Sequence, residues 1–412
     1  MWTKPFATFA ASLPLAFVGL ALCPAVSFAV PCLNLASPGS PAVYVAGSTA
    51  AEPLVRQLAQ SLTRDDPTKL TIIWQMKSSC GGAEAVARDT MPASCATGAC
   101  ITGKALAWTV DPRDLQPAEC ELDLKGNKVD LAISDVAPSL CPGLAGPPIT
   151  GVLDTLGPVS AYGVVMAAQA GETAIHAEEA HFVFGVGKSA GVKPWQNDAT
   201  IALPGDNNAG QLLLGQQIKL SPGRFHGVPA PTPEDVVTTL YGEPASGIGI
   251  LPTTLVDKRR DQVKLLAFQA MLQRGAFYPD RKSNSFEKQN VRDGHYPLWG
   301  YMHLLQRADP ANPTKPLSPN GARLAGLLQG AMPVAGKDTL LLQVQAGFIP
   351  QCAMKVSRTS DTAPLTPLVA PLSCHCWFEK NVPGGISSCV PCMDGKTCAA
   401  GTACRRNLCE VQ

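Results

Sequence analysis

Cysteine is the residue that most constrains this chain, because 15 cysteines are distributed through its 412 residues. Cytosolic proteins rarely carry so many unless they bind metal, whereas exported proteins use them as cross-links. Cys23 lies in an apolar N-terminal run, and the remaining cysteines form two clusters, each with an even number of members. The clusters are Cys32, Cys80, Cys95, Cys100, Cys120 and Cys141, then Cys352, Cys374, Cys376, Cys389, Cys392, Cys398, Cys404 and Cys409. Each cluster could therefore close upon itself through disulfides.

The pairing inside each cluster stays open, since spacing alone does not determine connectivity. The Cys-His-Cys run at 374–376 and the Cys-x-x-Cys run at 389–392 could also suggest a zinc site. In an oxidising compartment disulfides are the favoured interpretation. We therefore expect no metal.

The N-terminus indicates export. Lys4 is the only early charge, an apolar run follows from about 10 to 22, and small residues occupy the cleavage positions before Val30. This pattern predicts a signal peptide over residues 1–29 and a periplasmic, extracellular or cell-surface protein. A retained anchor is disfavoured because the run is shorter than the ~20 residues that span a bilayer. A lipoprotein site at Cys23 is disfavoured because the preceding residue is not small.

The overall composition excludes several classes of function. Hydrophobic residues make up 46% of the chain and charged residues 16%, with a formal net charge of +1. Such a chain is not a highly charged disordered protein, and it lacks the basic surface on which nonspecific nucleic-acid binding depends. The 37 glycines and 37 prolines favour a loop-rich α/β protein over a helical bundle.

Apolar runs alternate with helix-like stretches from about 42 to 301, which predicts βαβ units and a largely parallel sheet. Residues 88–128 interrupt the alternation and are interpreted as a cross-linked insertion. Beyond 305 we expect a linker with a short helix (306–350) and a Cys-rich C-terminal module (351–412). The module has few large apolar residues, so we expect disulfides rather than a core to order it.

Three predicted strand-to-helix junctions carry similar chemistry, at 46–50, 77–82 and 205–211. Their glycines allow close backbone approach, their hydroxyl and amide side chains form hydrogen bonds, and each would precede a helix N-terminus with unpaired N–H groups. Any one of them is also explained as an ordinary helix N-cap. Three such junctions, divided between two halves of the chain, predict a shared crevice.

These junctions carry a resemblance to a known family. Val45–Pro53 resembles the first strand-loop-helix of phosphate-binding periplasmic proteins, within the type 2 periplasmic binding family. Further segments match in the same order over about residues 43–305. They are Ser78-Ser79 with Gly81-Gly82, the strand 130–135, the stretch 178–185 with Pro194-Trp195, the segment 246–250 as the strand returning to lobe one, and the late loop 293–298.

The resemblance implies two α/β lobes that close on a solute and are joined by two crossing strands. Lobe one would comprise about 42–150 plus 250–305, and lobe two about 151–249. The implied ligand is a small oxyanion, phosphate first, delivered to an ABC-type permease, with no cofactor. In the family, the counterpart of Asp135 accepts a proton from a protonated oxyanion. The implied ligand-binding residues are Ser48, Thr49, Ala50, Ser78, Ser79, Asp135, Asn207, Asn208, Gly210 and Gln211.

One departure from the family pattern affects the ligand. The family carries an arginine and a Ser-Gly-Thr run in the second-lobe loop, where this chain has neutral residues at 207–211. A charge-assisted hydrogen bond contributes roughly 1.5–3 kcal/mol, and its loss leaves Asp135 without a counter-charge, which disfavours a dianion. Lys77 could replace it if that side chain faces the crevice. A neutral or weakly anionic solute therefore competes with phosphate.

Two alternatives of other classes remain. A cell-surface or secreted interaction protein could keep the fold without transport and bind a partner through its Cys-rich module. An enzyme is disfavoured: the G-x-S-x-G match at 187–191 needs a helix directly after Ser189, and Pro194 argues against one. We expect no catalytic residues. Residues 258–260, Lys-Arg-Arg, are interpreted as a solvated surface stretch.

Overall fold

The protein is described here by a computed structural model. The described residues are 30–36, 39–87, 101, 103–108, 116–146, 149–368, 372–393 and 397–411. The predicted signal peptide, Cys95 and Cys100 lie outside them. No helix within the described ranges is long and apolar enough to cross a membrane.

The first part of the chain forms the βαβ units that its periodicity predicts. Apolar residues at Leu54, Val55, Leu58 and Leu62 give one helix a stripe that is fully buried against the sheet. The elements of this part are β1 (Ala42–Ser48), α1 (Glu52–Arg64), β2 (Thr71–Lys77), α2 (Ser79–Ala87), β3 (Lys104–Ala107), β4 (Ala118–Glu121) and β5 (Leu131–Ser134).

The middle of the chain begins with a long strand that leaves the first part. Its elements are β6 (Val152–Ala167), β7 (Ala174–His176), α3 (Ala177–Val186), β8 (Ile201–Leu203), α4 (Ala209–Ile218), β9 (Val228–Pro229), α5 (Pro233–Gly242), β10 (Ile248–Pro252), α6 (Thr253–Val256), β11 (Val263–Leu265), β12 (Ala267–Gln269) and α7 (Gln289–Arg292).

The last part of the chain returns to both earlier parts. Its elements are β13 (Trp299–Asp309), β14 (Asn312–Pro316), α8 (Pro319–Leu328), α9 (Thr339–Gln345), β15 (Val356–Ser357), β16 (Thr366–Pro367), α10 (His375–Asn381), β17 (Thr402–Arg405) and β18 (Leu408–Val411).

Strand pairing divides the main sheet into two halves of the same design. In the first half the order is β2-β1-β5, then antiparallel β13, then the start of β6. In the second half it is β9-β8-β10, then the antiparallel end of β6, then β11. We call these halves, with their helices, the first and second lobes. The predicted two-lobed α/β architecture is therefore observed, with β6 and β13 as the two strands that cross between the lobes.

The returning strand was wrongly placed by the sequence interpretation. The segment 246–250 contributes to β10, which pairs with β8 and with the end of β6 inside the second lobe. β13 is the strand that returns, because it pairs with β5. The elements between 250 and 298 therefore do not belong to the first lobe. Both strands are apolar, and hydrophobic pattern alone does not distinguish their partners.

The stretch 306–350, predicted as a linker with a short helix, is part of the folded first lobe, and α8 is the short helix. β13 and β14 form an antiparallel hairpin across the Pro-rich stretch, and α8 and α9 follow it. Leu324, Leu328 and Phe348 are buried in the core of the first lobe with α1. Prolines occur at Pro313 and Pro316 of β14, and such residues are tolerated at a sheet edge.

The Cys-rich module combines disulfides with a core, contrary to the prediction that it buries none. Trp377 and Phe378 of α10 pack into the apolar cluster of the second lobe. The described disulfides stay inside the two predicted clusters, and they occupy the sulfurs that suggested zinc. They are Cys32–Cys120, Cys80–Cys141, Cys352–Cys374, Cys376–Cys389, Cys392–Cys404 and Cys398–Cys409.

Where the structure describes the predicted insertion, it forms two more strands. β3 pairs antiparallel with β2, and β4 pairs with β3, so the first-lobe sheet extends outward. The Cys32–Cys120 disulfide attaches β4 to the segment that precedes β1.

Candidate functional site

The first predicted junction directs a hydroxyl toward the centre of the molecule. β1 ends at Ser48, whose side chain accepts a hydrogen bond from the Ala50 N–H and donates one to a carboxylate oxygen of Asp135. Gly47 precedes it with a φ of 134°, and a side chain there would collide with the Ile133 carbonyl. Glycine is thus required for β1 to approach β5 this closely.

The second and third junctions meet across the lobes. The Ser79 hydroxyl accepts a hydrogen bond from the Asp135 N–H at 3.3 Å. The Cys80 N–H donates to the Asn207 carbonyl at 3.3 Å, which joins the first turn of α2 to the loop before α4. The three junctions are therefore adjacent in the structure, whereas the crevice they were predicted to share and the ligand role of these residues stay predictions.

Asp135 lies at the centre of this arrangement and is fully buried. Its Oδ2 accepts hydrogen bonds from the hydroxyls of Ser48 and Tyr162, the second at 2.8 Å. Its Oδ1 has no hydrogen-bond partner among the described residues, and neither has the buried Ser160 hydroxyl. We call the group Ser48, Ser79, Asp135, Tyr162 and Asn207 the Asp135 junction.

Burial raises the pKa of Asp135 above its ordinary value. The Ser48 and Tyr162 hydroxyls, the field of His303 and the Ser79 hydroxyl oppose this shift. His303 lies on β13 and pairs with Asp154 at 2.8 Å. In its protonated form the Asp135 carboxyl can donate a hydrogen bond, and in its ionised form it can only accept one.

Several predicted residues also form hydrogen bonds within their own loops. The Gln211 side chain bonds to Asp206 and to the Gly205 N–H within its own loop. The Asn208 side chain caps α4 by accepting from the Gly210 N–H at 2.9 Å. The Ser78 hydroxyl likewise accepts from the N–H of Gly81. These contacts are the ordinary N-cap and turn roles that compete with a binding role for such residues.

Tyr162 is the residue of the Asp135 junction that sequence reasoning missed. It lies in the apolar run of β6, where a tyrosine is commonly a core residue. The only available signal was a polar-tipped aromatic within a strand predicted to be buried. Gly210 leaves room for this ring, since a side chain there would lie 2.8 Å from Tyr162 Cδ1.

The C-terminal segment adds a buried arginine beside the Asp135 junction. The Asp361 carboxylate accepts from the Ala137 N–H at 2.6 Å and lies 3.6 Å from the Arg358 guanidinium. That guanidinium donates to the Trp299 carbonyl and stacks 4.0 Å from the Trp299 ring centroid. The segment therefore contacts the loop after β5 and the start of β13.

An open cleft of about 680 Å³ separates the lobes on one side. Thr49 and Ala50 of the predicted set line it, and Lys258 and Arg259 line its opposite wall. Both cations are exposed, as the sequence predicted, whereas Arg260 is partly buried against Asp257. We call this space the basic cleft; its residues are Thr49, Ala50, Glu52, Pro53, Arg56, Gln57, Met76, Leu106, Thr232, Pro233, Glu234, Pro252, Thr254, Leu255, Lys258 and Arg259.

Comparison with known proteins gives likeness at the level of fold. No protein-family model matches the sequence, and no curated protein is significantly similar to it. Solved structures that match include an ABC-type phosphate transport receptor from Vibrio cholerae, with 13% identity and a TM-score of 0.44, over 74% of this chain and 99% of that one.

Two further matches show the breadth of the likeness. PstS from Borrelia burgdorferi is 12% identical, with a TM-score of 0.39, over 76% of this chain and 99% of that one. The reduced OxyR regulatory domain from Pseudomonas aeruginosa is 11% identical, with a TM-score of 0.36, over 71% and 97%. The function of this chain therefore rests on its own residues.

Proposed function

We propose that this chain is an exported two-lobed protein that binds one small oxyanion, phosphate first, at the Asp135 junction. The observation that carries the proposal is the unpartnered Asp135 Oδ1 at a point where three polar junctions from both lobes meet. A buried polar atom without a partner is rare, and a ligand hydroxyl would satisfy it.

The electrostatics favour an oxyanion that carries a proton. No cation contacts the Asp135 carboxyl among the described residues, so a fully ionised dianion would meet an uncompensated negative charge. A P–OH group can donate to ionised Asp135, and the protonated carboxyl can donate to a phosphoryl oxygen. Nearby hydroxyls supply further neutral hydrogen bonds.

The proposal also includes export of the protein and binding of its ligand without catalysis. Disulfides persist in oxidising compartments, and both ends of the chain carry them. Ser189 lies in a 3-10 helix that ends at Gly191 and that follows α3, so the strand-turn-helix of a nucleophile elbow does not form there. If the protein serves import, its closed, ligand-bound form would bind a membrane permease.

Calorimetric titration of the mature chain with phosphate tests the proposal. We expect saturable one-to-one heat that weakens tenfold or more in Asp135→Asn, because the amide can neither ionise nor donate an acidic proton. Asp261→Asn is the matched control, since Asp261 is exposed on the second lobe. Absence of saturable heat from phosphate, arsenate and sulfate would remove oxyanion binding.

A second function, interaction without transport, is favoured by the C-terminal segment. A transporting protein must open its lobes, and the contacts of Asp361 with Ala137 and of Arg358 with Trp299 hold the loop after β5 to the start of β13. Small-angle scattering with and without phosphate separates the two functions. A radius of gyration that falls on adding phosphate supports hinge closure. A non-transporting protein is supported if phosphate leaves the radius of the wild type unchanged and the double variant Arg358→Ala, Asp361→Ala has a larger radius.

A further inference from the structure

The basic cleft has the size and construction of a small-molecule site. Its volume of about 680 Å³ lies within the range of roughly 300–1,000 Å³ that small-molecule pockets occupy. Its walls come from both lobes: α1, β2 and β3 on one side, and the starts of α5 and α6 with the turn after α6 on the other. A bound molecule would contact both walls at once.

The charges of the cleft are unevenly compensated. The Arg56 guanidinium is engaged by Glu52 and by Gln116 at 3.0 Å. The side chains of Lys258 and Arg259 have no ion pair or hydrogen bond among the described residues. Partial desolvation lowers the pKa of Lys258; Glu52 across the cleft raises it and Arg56 lowers it. Glu234 also lines the cleft, but it forms no ion pair with either cation among the described residues. Lys258 and Arg259 therefore face Arg56 across the cleft without an ion-pair partner.

Much of the remaining lining of the cleft is apolar, beside the polar side chains of Gln57, Thr232 and Thr254. Met76 is 42% exposed, which is unusual for a methionine on a strand whose first five residues are buried. Leu106 lies beside it on β3 and Leu255 on the facing wall, and three prolines complete the surface. Burial of apolar surface contributes about 25 cal/mol per Å², so a ligand with a hydrocarbon or aromatic body gains from this wall and an inorganic ion does not.

We infer that the basic cleft binds an organic anion: an acidic group at Lys258 and Arg259, with an apolar body against Met76, Leu106 and Leu255. This site is separate from the Asp135 junction, because its charged groups are cations exposed to solvent rather than a buried acid. It does not require that phosphate binds at Asp135. Its size and apolar wall distinguish its ligand from inorganic phosphate.

Fluorescence titration with 8-anilinonaphthalene-1-sulfonate, an aromatic sulfonate, tests the inference on the full mature chain. We expect saturable one-to-one binding that weakens tenfold or more in the double variant Lys258→Met, Arg259→Met. Methionine keeps an unbranched, flexible side chain and removes the charge. The neutral analogue N-phenyl-1-naphthylamine should bind the wild type and the double variant equally, which assigns the difference to charge.

Two controls make the outcome decisive. Lys125→Met removes an exposed cation from the first lobe, outside the cleft, and should leave sulfonate binding unchanged. Met76→Gln should weaken binding of both probes, because it removes apolar contact. Equal sulfonate affinity in the wild type and the double variant would overturn the inference, as would displacement of the sulfonate by inorganic phosphate with the same midpoint in Asp135→Asn.

Discussion

The Asp135 junction and the basic cleft lie between the same two lobes, yet they differ in charge, in burial and in whether the lobes touch. At the junction, uncharged donors and one buried acid bond directly to each other, and the Cys80 N–H reaches the Asn207 carbonyl across the lobes. In the cleft, cations on facing walls are separated by open space.

The difference shows how side-chain chemistry decides where two lobes touch. Hydroxyls can hydrogen-bond to a carboxyl over short distances and offset part of the cost of burying it, so the junction closes upon itself. Ammonium and guanidinium groups repel each other and are costly to desolvate, so the cleft stays open. A ligand at the junction must fit among existing hydrogen bonds, whereas a ligand in the cleft fills space.

The largest expected effect concerns the support of the cleft wall. Lys288 is 2% exposed, and its ammonium lies 2.7 Å from Asp257 and 3.0 Å from Asp280. Asp257 directly precedes Lys258 of the cleft wall. Burial raises the pKa of Asp280 to about 6, opposed by Lys288. Lys288→Met leaves the acids without their buried partner and should reduce the free energy of unfolding by about 3–5 kcal/mol. Urea unfolding measures it, with the exposed Lys282→Met as control; equal midpoints would show that the network adds nothing.

The next effect concerns the covalent support of the junction. The Cys80–Cys141 disulfide ties α2 to the segment after Asp135 and spans 61 residues. The double variant Cys80→Ser, Cys141→Ser should lose about 2–4 kcal/mol of stability, chiefly because the unfolded chain becomes less constrained. Thermal unfolding by calorimetry gives the value. Calorimetric titration of the same variant with phosphate shows whether affinity falls as well. A loss of affinity would mean that the disulfide also positions the site.

Removal of one hydroxyl should have an intermediate effect at the junction. Tyr162→Phe keeps the buried ring and removes the donor to Asp135 Oδ2, so unfolding should become easier by about 1–2 kcal/mol. Tyr241→Phe is the control, because Tyr241 is 65% exposed. An unaltered denaturation midpoint in Tyr162→Phe would mean that the Tyr162–Asp135 hydrogen bond contributes no net stability.

The pH dependence of stability is the smallest effect and reports directly on the acid. Burial raises the folded-state pKa of Asp135 above its ordinary value of 3.8, so the folded chain keeps a proton that the unfolded chain has released. The contribution of this group is therefore complete at low pH and declines as the pH rises from about 4 through the raised pKa. Asp135→Asn should flatten the decline in urea midpoints between pH 4 and 7. A profile parallel to the wild type would show that Asp135 is ionised throughout.

Local pattern was sufficient for much of the architecture. Leu54, Val55, Leu58 and Leu62 predict α1, and the apolar run at 131–134 predicts β5, because helical and strand periods mark the buried face directly. The meeting of the three polar junctions could also be predicted, since parallel strands present their C-terminal ends at one edge of a sheet.

Long-range packing produced the errors. The segment 246–250 was assigned to the wrong lobe because an apolar strand does not encode its partner, and the Pro-rich stretch after 305 concealed a hairpin. The C-terminal module was expected to lack a core because its own sequence has few large apolar residues besides Trp377 and Phe378. They belong to one buried cluster with residues nearly two hundred positions earlier, such as Phe184.

Neighbouring residues encode the lobed α/β architecture, the two separate disulfide clusters and the polar junctions at strand ends, so these features could be predicted. Three relations are visible only in the folded chain: Tyr162 reaches Asp135, the C-terminal segment contacts the loop after β5, and Arg56 faces Lys258 across open space. Those relations depend on how distant segments pack, and packing is set by the summed burial of the whole chain rather than by any local pattern.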